Sequence, residues 1–236
     1  VYVATVQEAY DATLMAFRIA EDRRVYLPVM INLDGFSLSH ITQQLEENEI
    51  GDFIPPLVLD HAIDTKNPAG YGCMTSSSDY FRIRYDIERS MRDSVGVIRE
   101  TEEAFSKSFG RSYSWTEDYQ TEDAEILILS MGTLGKEAEV AVDILREEGI
   151  KAGAMRVRWI RPFPNLNLGD RELVVIDRNY SFGFGGILAA SVRAKTGREC
   201  YNVIAGIGGQ EVTYMDIAGF VRNRRIGEES WFGVDA

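Results

Sequence analysis

Three groups of residues have the types and spacing that could bind or move charge, and a fourth has the residue types alone. The first is Asp34-Gly35-Phe36-Ser37-Leu38-Ser39-His40, directly after an apolar run of strand length. Ligands of open α/β sheets sit beyond the carboxyl ends of strands. Asp34, Ser39 and His40 could form a hydrogen-bonded set with His40 as a base, or the histidine could simply be packed. The second group is three glycine-rich turns after strand-like runs: Gly132/Gly135, Gly183/Gly185/Gly186 and Gly206/Gly208/Gly209. Such turns can aim backbone N–H groups at a phosphate, but tight strand-to-helix turns need glycine anyway. A Gly-x-Gly-x-x-Gly after the first strand and a P-loop Lys-Ser/Thr are both missing. The third is Arg156 to Pro164, where arginines alternate with apolar residues before two prolines. It reads either as an arginine clamp for a carboxylate or phosphate, or as a strand whose arginines pair with acids of this chain or of a partner. The fourth is Cys73, Cys200, His40 and His61. They have no metal-ligand spacing and cannot supply the four thiolates of an iron–sulfur cluster. The cysteines read as inert small hydrophobes, and His61 lies in a loop without an identifiable partner.

Composition narrows the setting. The 236 residues carry 25 Lys+Arg against 37 Asp+Glu, a net charge of −12, which argues against a nucleic-acid or anionic-membrane surface. Two cysteines make no disulfide framework, so a reducing cytosol is expected. No run is long and apolar enough to span a membrane, and no signal pattern opens the chain. Val1 starts almost directly at a helix signal without Met, as expected for part of a longer polypeptide.

The elements that would position these groups follow the apolar periodicity. Thr5-x-x-Glu8 fits a capping box, and Val6, Ala9, Tyr10, Thr13, Leu14 and Phe17 form an apolar stripe at helical spacing. Val25 to Leu33 predicts a parallel strand buried on both faces, ending in the Asp34-Gly35-Phe36 turn. No first strand precedes this helix and strand, so the domain looks cut on its N-terminal side. Residues 41–78 show no buried strand. A long helix is predicted from about Asp79 to Phe109, with Phe81, Tyr85, Met91, Val95, Ile98, Phe105 and Phe109 on one stripe and Gly110 as C-cap. It would span roughly 45 Å. From Asp123 the pattern alternates: strands over 124–131, 150–157, 173–177 and 201–207, and helices over 136–148, from Gly183–Gly186 to about Lys195, and 213–224. That alternation predicts a mostly parallel sheet with helices on both faces. No internal repeat is visible.

In this order the motifs resemble a known family. Ala16-Phe17-Arg18-Ile19-Ala20-Glu21-Asp22, Leu27-Pro28-Val29-Met30 and Asn32-Leu33-Asp34-Gly35-Phe36 with Ser39-His40 are similar to the α subunit of pyruvate:ferredoxin oxidoreductase. Met131-Gly132-Thr133, Arg156-Val157-Arg158 with Arg161-Pro162-Phe163-Pro164, Val175-Ile176-Asp177-Arg178-Asn179 and Ile204 to Gly209 resemble that subunit's next domain, which is like the C-terminal domain of transketolase. The resemblance covers the chain except about residues 41–78. It implies an α/β fold in three parts: the C-terminal remainder of a thiamine pyrimidine-binding domain (1–40), an extended linker with the long helix (41–122), and a transketolase C-terminal-like domain (123–236).

The implied activity is oxidative, coenzyme A-linked decarboxylation of a small 2-oxoacid, pyruvate to acetyl-CoA and CO2, with electrons passing to ferredoxin. The implied cofactors are thiamine diphosphate, Mg2+ and [4Fe-4S] clusters, held by the whole complex and not by this chain alone. The implied partners are β-, γ- and δ-type subunits, with ferredoxin docking elsewhere and no nucleic acid or membrane. The family's cofactor-activating glutamate falls outside these residues, so no catalytic residue is carried over. Asp34, Gly35, Ser39, His40 and Arg161 are the motif positions with an active-site or interface role. Ile41 to Glu47 departs from the Glu-Pro-containing stretch of pyruvate-type members. The Asp-Gly-Phe turn still favours that branch over the 2-oxoglutarate and branched-chain ones, and leaves room for oxalate oxidation. The rivals are a thiamine transketolase or 2-oxoacid dehydrogenase β-type subunit, and a non-enzymatic α/β nucleotide-binding module. The stripe of the long helix should be buried in the assembly.

Overall fold

The computed structural model describes residues 1–59, 62–72 and 74–234; His61 and Cys73 lie outside the described residues. Two compact units are present. One comprises Val1–Ala12, Met30–Glu46 and the chain from Tyr113 onward; the other comprises Thr13–Val29 and Glu47–Ser112.

The first unit is built on a six-stranded sheet. Its strands are β1 (Thr116–Tyr119), β2 (Ile126–Ser130), β3 (Ala152–Val157), β4 (Glu172–Asp177), β7 (Tyr201–Ile204) and β8 (Glu229–Trp231), ordered β1-β3-β2-β4-β7-β8. A two-stranded ribbon pairs β5 (Tyr180–Ser181) with β6 (Gly185–Gly186). Only β1 runs antiparallel in the large sheet, with Thr116 opposite Val157; Ile126 pairs with Ala152 and Glu172 in parallel register. The helices are α3 (Leu134–Glu147), α4 (Ile187–Thr196) and α5 (Tyr214–Arg222). Side chains alternate across a strand, so Ile126 and Ile128 pack with Leu145 of α3 and Val221 of α5, while Leu127 and Leu129 pack with Leu188 and Val192 of α4. Covering both faces is why residues 126–129 and 173–176 of the central strands form unbroken apolar runs. Cys200 is buried in the second layer, and burial pushes its thiol up to about 11, which suits an inert thiol.

Several boundaries differ from expectation. The short edge strands β1 and β8 went unread because neither carries an apolar run. The ribbon β5–β6 takes the place of the start of the helix predicted at Gly183, and α4 begins at Ile187. The predicted strand over Val25–Leu33 does not form. Its one ladder contact is an isolated parallel bridge between Asn32 and Tyr2, and Met30 and Leu33 are exposed. A buried strand needs a neighbour on each side, and among the described residues this run has only Val1–Val3.

Helix α1 (Val6–Ala20) also buries a different face from the predicted stripe. Of that stripe only Leu14 is buried, while Thr13 and Phe17 are exposed. Glu8, Asp11, Ala12, Met15, Ala16 and Ile19 are buried beside Leu14, with polar groups among them because they have charged and hydroxyl partners inside the first unit.

The second unit holds helix α2 (Ser77–Phe109), close to the predicted span. Ser76 and Asp79 close a reciprocal capping box, and Gly110 ends the helix at φ 73° with its N–H on the Ser106 carbonyl. Only part of the predicted stripe is buried: Ile98 and Phe105 are, Met91 and Val95 are half-buried, and Phe81 and Tyr85 are exposed. Phe105 packs edge-on against Phe53 at 5.4 Å and tilted by 55° against Phe109 at 4.7 Å, and the Arg18 guanidinium lies 5.0 Å over the Phe53 ring. Arg24 holds Glu100 through two hydrogen bonds of 3.0 and 2.7 Å. Truncating Phe105 to Ala removes the centre of this aromatic group and should destabilise the second unit by about 3–5 kcal/mol in chemical denaturation. A loss below about 1 kcal/mol would show that the group does not hold it.

Candidate functional site

Strand β2 leads through α3 to β3 on one side, while β4 lies on its other side. The order therefore reverses between β2 and β4, and the loops leaving their carboxyl ends form the crevice where open α/β sheets place ligands. Gly132-Thr133 follows β2, Arg178 follows β4, and Gly206–Gly209 follow β7. These loops and the turn at Gly35–Ser37 line an open cleft of about 900 Å3 within the first unit.

A single carboxylate oxygen organises the crevice. Asp34 Oδ2 accepts from the Thr133 N–H at 2.6 Å and from the Thr133 hydroxyl at 2.7 Å, and meets Arg178 Nη1 at 3.0 Å. Arg178 Nη1 also donates to Thr133 Oγ1 at 3.2 Å. Two glycines make room for this. Gly132 has φ +62°, and a Cβ there would lie 2.4 Å from Asp34 Oδ2. Gly206 has φ +79°, and a Cβ there would lie 2.7 Å from Arg178 Nε. Neither conformation nor space suits another residue.

The motif positions separate into two places. Gly35 forms the turn; Ser39 Oγ accepts from the Phe36 N–H at 3.2 Å and shares a 2.8 Å hydrogen bond with His40 Nδ1. The His40 ring stacks on Phe36 at 4.8 Å, and Phe36 itself sits at φ +61° beside Gly209. The expected Asp34–Ser39–His40 set is therefore not a side-chain triad. The Asp34 carboxylate faces Thr133 and Arg178, and only its carbonyl meets the Ser39 N–H. Arg161 lies apart from the cleft, donating to the Ile160 carbonyl and to Ser191 Oγ. Thr133 and Arg178 were not singled out individually from sequence; their signal was a Gly-Thr turn after one central strand and an arginine just after another.

Own-chain groups also meet the glycine turns. Asp34 fills the turn that opens α3. The buried Asp177 carboxylate accepts from the N–H groups of Leu188 and Ala189 at 2.8 and 3.0 Å, filling the N-terminus of α4. The Gly206 N–H goes to Gln210 Oε1.

The alternating arginines pair within the chain. Glu8 is 2% exposed, Arg156 4% and Arg158 1%. Glu8 Oε1 accepts from Arg158 Nε at 2.5 Å and from Arg156 Nη1 at 3.1 Å. Glu8 Oε2 accepts from the Ala4 N–H at 2.9 Å and lies 3.0 Å from Arg156 Nη2. Arg156 also meets Glu117, which holds Lys136. The Arg158 guanidinium lies 4.6 Å over the Tyr113 ring, whose hydroxyl donates to Asp11 Oδ2 at 2.6 Å. The capping box of α1 is half-formed as a result: Thr5 Oγ1 accepts from the Glu8 N–H, but the Glu8 carboxylate is turned to Ala4 and the arginines.

Comparison with known proteins sets this geometry in a family. Residues 1–103 match the model described as "Pyruvate flavodoxin/ferredoxin oxidoreductase, thiamine diP-bdg", and residues 124–217 match "Pyruvate:ferredoxin oxidoreductase core domain II". The chain belongs to the pyruvate/2-oxoacid:ferredoxin oxidoreductase family. Among its curated relatives in that family is pyruvate synthase subunit PorA of Methanothermobacter thermautotrophicus, 34% identical over 99% of this chain and 64% of the relative. Another is ketoisovalerate oxidoreductase subunit VorA of Pyrococcus horikoshii, 35% identical over 92% of this chain and 58% of the relative. The chain spans about three fifths of the length of these relatives, and overall identity does not separate the two branches. A 2-oxoglutarate:ferredoxin oxidoreductase from Magnetococcus marinus shares the fold, with TM-score 0.59 and 18% identity over 93% of this chain and 41% of that one.

The family's thiamine diphosphate, with its metal, would need donors that the described residues do not gather. Among the described residues no group of three or more His, Cys, Asp or Glu could hold a metal ion, and the Asp34 carboxylate is already committed to Thr133 and Arg178. The described residues do not fit the Mg2+–diphosphate end of the cofactor.

Burial raises the Asp177 carboxyl from 3.8 to about 6, although two backbone N–H groups and Asn202 favour its charged form. The folded chain then holds a proton that the unfolded chain has lost, so this group's contribution to stability falls as pH rises from about 4 to 6. The stability of wild type relative to Asp177→Asn, read by urea denaturation, should decline by up to about 3 kcal/mol across that window and level off above it. A difference independent of pH would contradict the assignment.

Proposed function

We propose that this chain is part of the α-type subunit of a thiamine diphosphate-dependent 2-oxoacid:ferredoxin oxidoreductase, and that the complex converts pyruvate and coenzyme A to acetyl-CoA and CO2 while reducing ferredoxin. The observation that carries this is the succession of two family matches, thiamine-binding then core domain II, on one chain. The chain's part in that reaction is architectural. It divides into a thiamine-domain remainder (1–40), a linker with α2 (41–122) and a transketolase C-terminal-like domain (123–236). Thiamine diphosphate, Mg2+ and [4Fe-4S] clusters are held elsewhere in the complex, and β-, γ- and δ-type subunits are the partners. Met91, Val95 and the exposed Phe81 and Tyr85 of α2 are covered in the assembly. Asp34, Gly35, Ser39 and His40 hold a turn at an interface, and Arg161 takes part in a separate contact.

The net charge of −12 supports ferredoxin docking on another subunit, because an acidic electron carrier is attracted to a basic face. The same charge speaks against nucleic acid. No helix among the described residues is long and apolar enough to cross a membrane. The two cysteines, too few for a disulfide framework, support a reducing cytoplasm. Two other acids remain as substrates with specific support: 2-oxoisovalerate, because the VorA relative is as similar as PorA, and oxalate, because Ile41–Glu47 departs from the pyruvate-type motif.

Ferredoxin reduction by the native complex, compared for pyruvate, 2-oxoisovalerate, 2-oxoglutarate and oxalate, tests the reading. Pyruvate should give the highest kcat/KM, with coenzyme A required. Highest turnover of a different acid would overturn the pyruvate assignment, and no ferredoxin reduction with any of them would overturn the enzyme class.

A further inference from the structure

Sheets of this topology place ligands between the carboxyl ends of the strands where the order reverses. In this chain that position, between β2 and β4, has the parts of an oxyanion site. A backbone N–H and a hydroxyl come from Thr133, and a guanidinium comes from Arg178. Two glycines lack the Cβ atoms that would fill it. What stands there is the chain's own Asp34, contributed from 99 residues away in sequence.

We propose that this crevice is a carboxylate-binding site whose resident ligand is Asp34, which makes Asp34 the positioning residue for the Gly35–His40 turn. Three donors converge on one carboxylate oxygen at 2.6, 2.7 and 3.0 Å, one of them charged, which is the arrangement of strong charge-assisted binding. Thr133 opens α3 without using its hydroxyl as a side-chain cap, so both of its donors are left for the anion. The tether then carries the turn: the Asp34 carbonyl takes the N–H groups of Leu38 and Ser39, and the turn presents Phe36 in a conformation rare for a residue with a side chain, stacked on His40. The inference concerns the chain's own oxyanion site and does not depend on which 2-oxoacid the complex oxidises.

An emptied site should accept a free carboxylate. In the full chain, Asp34→Ala should melt below wild type, and sodium acetate should raise its Tm saturably, on the order of 2–4 °C. Sodium chloride at matched ionic strength should not do this, and neither wild type nor Asp34→Asn should respond to acetate, because their crevice stays filled. Acetate lacks the tether, so the His40 ring NMR signals, shifted by stacking on Phe36, should move toward free-histidine positions in Asp34→Ala and stay there with acetate. A Tm response to acetate no larger in Asp34→Ala than in wild type would overturn the proposal. So would an unmoved His40 signal. If Asp34→Ala does not fold, Arg178→Gln carries the test: loss of the charged donor to Asp34 should loosen the turn and shift the His40 signals, and unchanged signals would overturn the positioning role.

Discussion

A buried carboxylate held by two buried arginines is the constraint on which the first unit depends. Glu8 sits in the first turn of α1, and Arg156 and Arg158 lie at the end of β3 and just beyond it, so the contact joins segments about 150 residues apart. Charges this deeply buried are tolerated only when paired and hydrogen-bonded. Glu8 uses both oxygens and Arg156 reaches a second acid, Glu117. Moving α1 off the sheet would strand two guanidiniums in the interior. A hydrophobic contact could slide by a residue, but this network fixes the register of the N-terminal segment against β3.

The Asp34 crevice repeats the logic at the carboxyl edge of the sheet. An acid from the N-terminal part meets donors from the loops after β2 and β4, and the neighbouring Asn179 meets the Tyr2 hydroxyl. A chain with twelve more acids than bases thus spends several of its acids internally, as counterions for its own arginines and as caps for its own helices. The N–H groups of Thr133, Leu188, Ala189 and Gly206, at or beside the glycine turns, are engaged by side chains of the same molecule.

The central strands were legible because burial on both faces writes itself as an unbroken apolar run, and α2 was legible because Gly110 and a regular pattern mark its end. The strand expected over Val25–Leu33 was not, because a strand is completed by neighbours its own residues do not encode. The face of α1 was misread for a related reason. Pattern rules assign Glu8 and Asp11 to solvent, yet these two are buried by partners more than 100 residues away. In the candidate site, the Asp-Gly-Phe turn and the glycines could be seen in sequence. That Asp34 would turn to Thr133 and Arg178 instead of His40 could not, since nothing local records a contact between distant loops.

The central claim is that Glu8 and the arginines act as one coupled unit, and a double-mutant cycle with Glu8→Gln and Arg158→Met measures it directly. The account predicts that Glu8→Gln costs about 3–5 kcal/mol by leaving the Arg158 charge buried and unpaired, and that Arg158→Met costs less because Glu8 keeps Arg156. It also predicts that the double variant is more stable than the sum of the two losses implies, with a coupling of 1.5 kcal/mol or more on the roughly 0.5–3 kcal/mol scale of contacting residues. Losses that simply add would contradict it.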